Sequence, residues 1–355
     1  MSTNRLWKQF HIYTDERDQD QLLIEAVGPF LDEVIQSGLA TRGYFLRGRL
    51  QKQLYLRLCF DTDAPWAEVP QQLLYDILQQ RGLDTLVHHV EEVQYTGFAD
   101  TQETVQGPAV QPLLEDFFSD TTEFLLTSLA EIKNNRKLLL QIAFDLMVAH
   151  VIAINQTLFL WMRHLPYPSS FVSYHSHADG FFIMSKNPQV TKKAFADRYM
   201  SLSSSMQERL AKLLQQLNQN GATASMISPP AQAWVWYINK YIQRVINEVS
   251  SGRLQFLSGD GYLGDHNDIS ISLVHQAIQQ NPQFQEFMKT DVEFLSMRMG
   301  HSCLYLTLHR LGLRLIERYF LCYAISRCIE EMFDIDPMDL VLSLATFSYN
   351  SSSPT

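Results

Sequence analysis

The chain has 355 residues, 46% of them hydrophobic and 12% aromatic, enough apolar material for one large core or two. Its formal charge of -10 at pH 7 excludes the concentrated basic surface that phosphate binding requires, and suits a neutral or cationic peptide better. The four cysteines, Cys59, Cys303, Cys322 and Cys328, lie scattered in apolar surroundings without CxxC spacing, so they read as reduced core residues and not as a zinc site.

No charged segment followed by an apolar run opens the chain, so a signal sequence is not expected and a cytoplasmic location is. Trp7 to Thr14 alternate as a half-buried strand, and Gln21 to Gln36 place apolar residues at helical spacing before Gly38. Gly43 to Leu50 and Lys52 to Asp61 read as the two strands of a hairpin, with Tyr, Phe and Leu on alternate positions. Pro65 and Pro70 open a helix that runs through Gln80 and stops at Gly82, and Thr85 to Tyr95 returns as a strand carrying Val87, Val90 and Val93. These elements predict a small sheet with helices on one face.

From about Pro112 the pattern turns to long helical runs, with Asp120 and Thr121 as the expected N-cap before Phe124. Leu138 to Met162 is apolar enough to suggest a membrane span, but Gln141, Asp145, His150, Asn155 and Gln156 interrupt it, so a buried bundle helix is expected. Loops are expected at Leu165 to Ser176, Asn218 to Pro230 and Gly259 to Asp268, and the chain closes on the polar SYNSSSPT. The whole reads as an α+β protein: a small mixed sheet with helices over 1–110, a mainly helical portion over 111–345 completing the same catalytic unit, and a tail over 346–355.

Several chemistry-bearing residues have a plain structural reading. His175 and His177 in SYHSHADG have only Asp179 as a near carboxylate, so a flexible loop beside a pocket is expected there and not a metal site. His88 and His89, adjacent on a strand, should turn to opposite faces. SGDGYLGD lacks the spacing of a calcium loop and the strand-to-helix context of a nucleotide loop. Trp234, Trp236, Tyr237 and Tyr241 share a helix and read as core. No metal and no cofactor is expected.

Four segments carry a family resemblance. GYFLRGRLQKQLYLRLCF is similar to an aromatic-rich strand, a short turn and a second strand ending in His-Leu-Arg-Leu-Arg, and VEEVQYTG to a carboxylate followed by Arg-Tyr-Gly-Gly. LLEDFFSDTTEFLL is similar to Phe-His-x-Asp-Ser before an apolar helix, and YLTLHRLGLRLIERYFLCYAI to His-x-x-x-Asn-Arg-Leu-Gly with a later Glu and Tyr. In this order the chain resembles the lantibiotic dehydratase C-terminal domains and thiopeptide-type bacteriocin biosynthesis proteins. Family members that eliminate glutamate from glutamylated Ser or Thr bind the leaving carboxylate with two strand arginines and use a histidine of the last long helix at the α-carbon proton. Here those positions align with Cys59, Gln94 and Tyr305, while Arg57 and Glu91 remain, so the resemblance implies that glutamate elimination is not the reaction. The same family contains pyridine synthases, which join two dehydroalanines in a formal (4+2) cycloaddition and lose water and the leader peptide.

If Asp291 to Met332 is one helix, His301, Tyr305 and His309 stack at i, i+4 and i+8, with Ser302 and Arg298 nearby. The expected catalytic group is Tyr305, His301, Ser302 and His309, and the expected substrate contacts are Arg57, Glu91, Gln94, Arg298 and Arg310, with an internal Arg57–Glu91 ion pair as the bland alternative. The function implied is pyridine-ring formation on a modified ribosomal precursor peptide. The alternatives are a non-catalytic leader-binding partner of a dehydratase or peptide ligase, and a glutamate-eliminating subunit. Neither nucleic acid nor membrane is an expected partner, and a homodimer is left open.

Overall fold

The computed structural model describes residues 6–62, 69–98, 105–162, 164–218, 228–257 and 272–341. The architecture is α+β, and the chain divides into two compact units. The first comprises Met1–Gln102, Pro108–Leu139 and Leu306–Leu313, and the second Glu103–Gly107, Leu140–Tyr305 and Arg314–Thr355. The units interleave in sequence, so neither coincides with 1–110 or 111–345. Gly259 to Asp268, SGDGYLGD, most of Asn218 to Pro230 and the tail lie outside the described residues.

The first unit is built on an antiparallel sheet of β1 (Leu6–Thr14), β2 (Arg42–Leu50), β3 (Gln53–Thr62) and β4 (Val87–Val93), in the order β2-β3-β1-β4. Alternation sends Phe10, Phe45, Leu58 and Phe60 to one face, where Phe10 and Phe60 meet the ring of Phe30. On the other face, Gly48 lies opposite Tyr55, whose ring covers it so closely that an added Cβ would sit 2.3 Å away and have to displace the ring. The helix expected over Gln21 to Gln36 is α1 (Gln19–Leu22) and α2 (Gly28–Gln36), joined by a π turn over Leu23–Val27. Pro29 has no N–H for the carbonyl of Glu25 and its ring would clash with it, and the widened turn relieves that clash. Helix α3 (Val69–Gln80) precedes the edge strand β4, on which His88 and His89 are both exposed and not turned one inward and one outward.

Helices α4 (Val110–Asp120) and α5 (Thr122–Ile132) meet at Thr121. Thr121 does not cap α5 as expected, because its hydroxyl turns back to donate to Phe117 O at 2.8 Å. The Thr122 hydroxyl likewise donates to Phe118 O at 2.7 Å. Both hydroxyl oxygens thereby face Arg310, whose Nη1 donates to Thr121 Oγ1 at 2.7 Å and whose Nη2 donates to Thr122 Oγ1 at 2.8 Å and Phe118 O at 3.2 Å. The guanidinium lies 4.7 Å from the Phe45 ring and 5.1 Å from that of Phe118. Arg310 is 0% exposed, so in this unit it is a core group, not the substrate contact expected from sequence. Burial pulls its pKa down, to about 9, yet it keeps its charge at neutral pH. Arg47 Nε donates to Arg310 O at 2.8 Å and Arg136 Nη1 to Gly312 O at 3.0 Å, so the same segment is held by its backbone as well.

The second unit is helical apart from the short ladder of β5 (Val105–Gln106) and β6 (Gln255–Phe256). Its helices are α6 (Arg136–Thr157, from Leu140 onward), α7 (Val172–Met184), α8 (Pro188–Asn218), α9 (Pro229–Ser250), α10 (Leu273–Gln280), α11 (Pro282–Thr290), α12 (Val292–Arg310, through Tyr305) and α13 (Leu315–Phe333, the last helix). Among the described residues α6 is the one helix long and apolar enough to cross a membrane, but 78% of that stretch is buried inside the protein, as a core helix requires. Its Asp145 is fully buried against Arg209, whose Nε donates at 2.5 Å. The single helix expected over Asp291 to Met332 is broken: Gly312, at φ 83°, takes the left-handed conformation that ends α12. The Arg314 N–H then donates to Glu317 Oε2 at 3.0 Å to start α13. α7 begins inside the segment expected to be loop, so His175 and His177 stand on a helix.

Replacing Arg310 by Ala leaves a cavity and removes the donor to the two threonine oxygens and to Phe118 O, and should lower unfolding stability by about 3–5 kcal/mol. Arg310→Met, which refills the volume, should recover part of that. Urea denaturation of the two variants decides the point, and an Arg310→Ala protein as stable as wild type would show the guanidinium to be dispensable.

Candidate functional site

Three helices of the second unit each contribute a pair of polar side chains at i, i+4, the spacing that stacks them on one helix face. They are Ser173 and His177 on α7, His301 and Tyr305 on α12, and Arg318 and Cys322 on α13. The pairs converge. His301 Nε2 lies 2.7 Å from Ser173 Oγ, Tyr305 Oη 2.6 Å from His177 Nδ1 and 3.7 Å from Cys322 Sγ, and the Arg318 guanidinium 4.4 Å over the Tyr305 ring.

His301 Nδ1 stands 2.8 Å from Met297 O, which can only accept, so Nδ1 carries the proton and Nε2 is left to accept from Ser173. Burial holds this histidine down to about 4, and it is neutral at pH 7. Behind it lies His150, also fully buried, edge-on to His301 at 4.7 Å and accepting from Trp234 Nε1 at 3.4 Å.

The same desolvation governs the Tyr305–His177 pair. Burial, reinforced by Cys322 and Tyr174, holds the Tyr305 phenol well above its ordinary pKa. Burial, followed by electrostatic interactions with His301, Arg318, His275 and Arg298, holds His177 well below its own. Burial also pushes the Cys322 thiol up to about 12. All three are therefore neutral at physiological pH. Arg318 forms no ion pair among the described residues, and its buried Nε finds no hydrogen-bond partner. A neutral donor–acceptor pair beside an unneutralised cation can move protons and stabilise charge developing on an oxygen.

Of the residues expected from sequence, Tyr305 and His301 come together here, while Ser302 donates to Arg298 O at 3.1 Å within α12 and the Arg298 guanidinium stacks 4.5 Å over Phe256. The other candidates belong to the first unit. His309 is exposed and its Nε2 donates to Arg47 O at 3.2 Å, so it does not continue the stripe into the nest. Arg57 Nε donates to Gln9 Oε1 at 2.9 Å and Nη2 to Gly97 O at 2.6 Å. Glu91 accepts from Tyr13 at 3.3 Å, no Arg57–Glu91 ion pair is present among the described residues, and Gln94 is exposed. Sequence reading missed Ser173, His177, Arg318 and His150 as members of the nest. The i, i+4 spacings on α7 and α13 were the available signal.

The neighbouring His175 faces away from this nest. Its Nδ1 lies 2.7 Å from Glu330 Oε1 and its Nε2 3.5 Å from Asp179 Oδ2, at the edge of a cleft of about 150 Å³ lined also by Lys192, Tyr323, Ser326 and Arg327. The cleft contains none of the nest residues. Burial opposes the charge on His175, but the hydrogen bonds and charges of Asp179 and Glu330 outweigh it and raise the pKa to about 9. A pKa raised in the folded state stabilises the fold fully below the unfolded value and is lost as pH climbs through the folded one. Thermal stability should therefore fall between about pH 6.5 and about pH 9, by on the order of 2 kcal/mol, and this fall should vanish in His175→Phe. Melting curves across that range test it, and an identical slope in both proteins would remove His175 as the cause.

The family model described as the lantibiotic biosynthesis dehydratase C-term matches residues 7–329. Among solved structures the chain is similar to TsrL, with a TM-score of 0.81 at 24% identity, covering 96% of this chain and 99% of that one. It is also similar to TbtD, the pyridine synthase from thiomuracin biosynthesis, with a TM-score of 0.63 at 19% identity, covering 93% of this chain and 99% of that one. No curated protein matches the chain in sequence. At these identities the two structures establish a shared fold.

Proposed function

Because the chain belongs to the lantibiotic biosynthesis dehydratase C-terminal family, we propose that it is a thiopeptide biosynthesis enzyme that joins two dehydroalanines of a modified ribosomal precursor peptide into a pyridine-type ring, with loss of water and of the leader peptide. The observation that carries this reading is the neutral Tyr305–His177 pair beside the Arg318 guanidinium. Cycloaddition of two alkenes requires a backbone amide in its iminol form, and the later steps expel a hydroxyl and an amide. Each is a proton transfer to or from a neutral group, which a donor and an acceptor held neutral by burial serve well. Arg318 supplies positive charge where an amide oxygen gains negative charge. Holding both alkenes in contact supplies much of the remaining barrier reduction.

Glutamate elimination fits less well. It needs cations at the leaving carboxylate, and the position aligned with one family arginine is Cys59, a buried thiol that burial pushes up to about 11. Such a thiol stays neutral and holds no anion.

Single-turnover ring formation on a dehydroalanine-containing peptide, read by mass as loss of the leader, is the decisive assay. Tyr305→Phe keeps the ring and removes one donor, so turnover should fall by about 10²–10³-fold with the melting temperature nearly unchanged. Arg318→Met should slow it to a similar degree. Wild-type rates in Tyr305→Phe would remove the nest from the mechanism.

The leader is proposed to dock by strand addition at the sheet of the first unit, whose edge strand β4 exposes His88, His89, Glu91 and Glu92. Affinity for the full precursor should exceed that for the leaderless core by at least about tenfold. Equal affinities, measured by calorimetry, would count against docking of this kind.

A further inference from the structure

Resting on the ring-forming reaction above, we propose that His177 and Tyr305 act as one charge-free proton relay, in which His177 touches the substrate through Nε2 and changes tautomer during the turnover. The geometry is a 2.6 Å contact between Tyr305 Oη and His177 Nδ1, with no further hydrogen-bond partner for His177 Nε2 among the described residues. His177 is only partly buried, so that second nitrogen is the outer end of a two-residue chain.

The relay starts with the proton of His177 on Nδ1, donated to Tyr305 Oη, while the phenol proton faces outward or rests on Cys322 Sγ at 3.7 Å. His177 Nε2 takes the N–H proton of the substrate amide. Tyr305 gives its proton to the amide oxygen and is refilled by the proton on His177 Nδ1. The N–H bond breaks, the O–H bond forms, the C=O double bond becomes C=N, and the iminol diene is made. His177 is left as its other neutral tautomer and Tyr305 is unchanged. Cycloaddition leaves the ring nitrogen doubly bonded to the former alkene carbon and without a proton, so a C–H proton of the adjoining ring carbon first moves to that nitrogen as the imine becomes an enamine, and the same chain then runs backward. His177 Nε2–H protonates the departing hydroxyl, Tyr305 returns its proton to Nδ1, and the ring N–H proton replaces it on the phenol. Water leaves, the C–O bond breaks, C=N forms, and the starting tautomer is restored.

A relay of this kind suits its surroundings. His301 and Arg298 from α12, Arg318 from α13 and His275 from α10 all oppose an imidazolium at His177. Cys322 and Tyr174 oppose a phenolate at Tyr305, against which only Arg318 works. Burial outweighs Arg318 and disfavours a path through either ion, whereas the tautomer exchange creates none.

The test exploits the two nitrogens separately. Asn at position 177 places a polar atom near the Nδ1 position, and Gln near the Nε2 position. The relay needs both, so His177→Asn and His177→Gln should each lower the single-turnover rate by about 10²-fold or more, with a rate in wild type that stays flat from about pH 6.5 to about pH 8.5. His177→Asn at near wild-type rate would reduce His177 to a residue that merely orients the phenol and would overturn the relay. Nitrogen-15 NMR of His177 in the wild-type protein gives a readout independent of turnover and of how the variants fold. One protonated and one bare nitrogen are expected throughout pH 6–8, with shifts that move in Tyr305→Phe, and an imidazolium signature at pH 7 would overturn the relay. A wild-type protein that forms no ring fails the reaction assignment and the relay with it. Ring formation that His177→Asn matches fails the relay alone.

Discussion

The last turn of α12 carries a guanidinium that has been taken out of water without a carboxylate to receive it, and much of the first unit is arranged around that fact. Isolated charge in a protein interior is costly unless hydrogen bonds and polarisable surfaces replace the lost solvent. Arg310 finds two threonine hydroxyls, the carbonyl of Phe118 at the C-terminal end of α4, and two phenylalanine faces. Helix carbonyl groups at that end carry partial negative charge, so the corner between α4 and α5 acts as a dispersed counter-ion. The carbonyl of Arg310, the last residue of α12, accepts from Arg47, and that of Gly312 just beyond it accepts from Arg136. The segment Leu306–Leu313 is thus held by contacts made entirely within the first unit.

The nest in the second unit follows a different electrostatic rule. Here burial keeps histidines and a tyrosine neutral, and only Arg318 brings a charge. Hydrogen bonds among neutral groups in a low-dielectric setting are directional and strengthen one another. A reaction whose steps shift protons between neutral atoms benefits from such a setting, while one that releases a carboxylate needs the reverse. The first unit offers no such clamp at Cys59, and the arginine that remains, Arg57, is bound to Gln9 and to the Gly97 carbonyl. The chemistry assigned to a scaffold is set by these few positions and not by the fold that carries them.

His175 and His177 show how sharply position decides the behaviour of one residue type. They are two positions apart on α7 and point to different surroundings. The first meets two carboxylates and is held charged; the second meets a phenol, and burial above all holds it neutral.

The sequence alone determined the α+β class, the hairpin, the strand of Val87, Val90 and Val93, the core character of α6 and the family, because each follows from periodicity, turn residues or motif order along one stretch of chain. It also pointed to Tyr305 and His301, since i, i+4 spacing places two residues on one face of a helix. Only the tertiary structure decided that His177 and Arg318 join them, that Arg310 is a core group, that His309 belongs with Arg47, and that Thr121 turns back instead of capping α5. It also decided that Gly312 interrupts the last helical run. The physical reason is that spacing is a property of a single element. Hydrogen-bond partners and the desolvation that sets a side chain's charge arise only where separate elements meet.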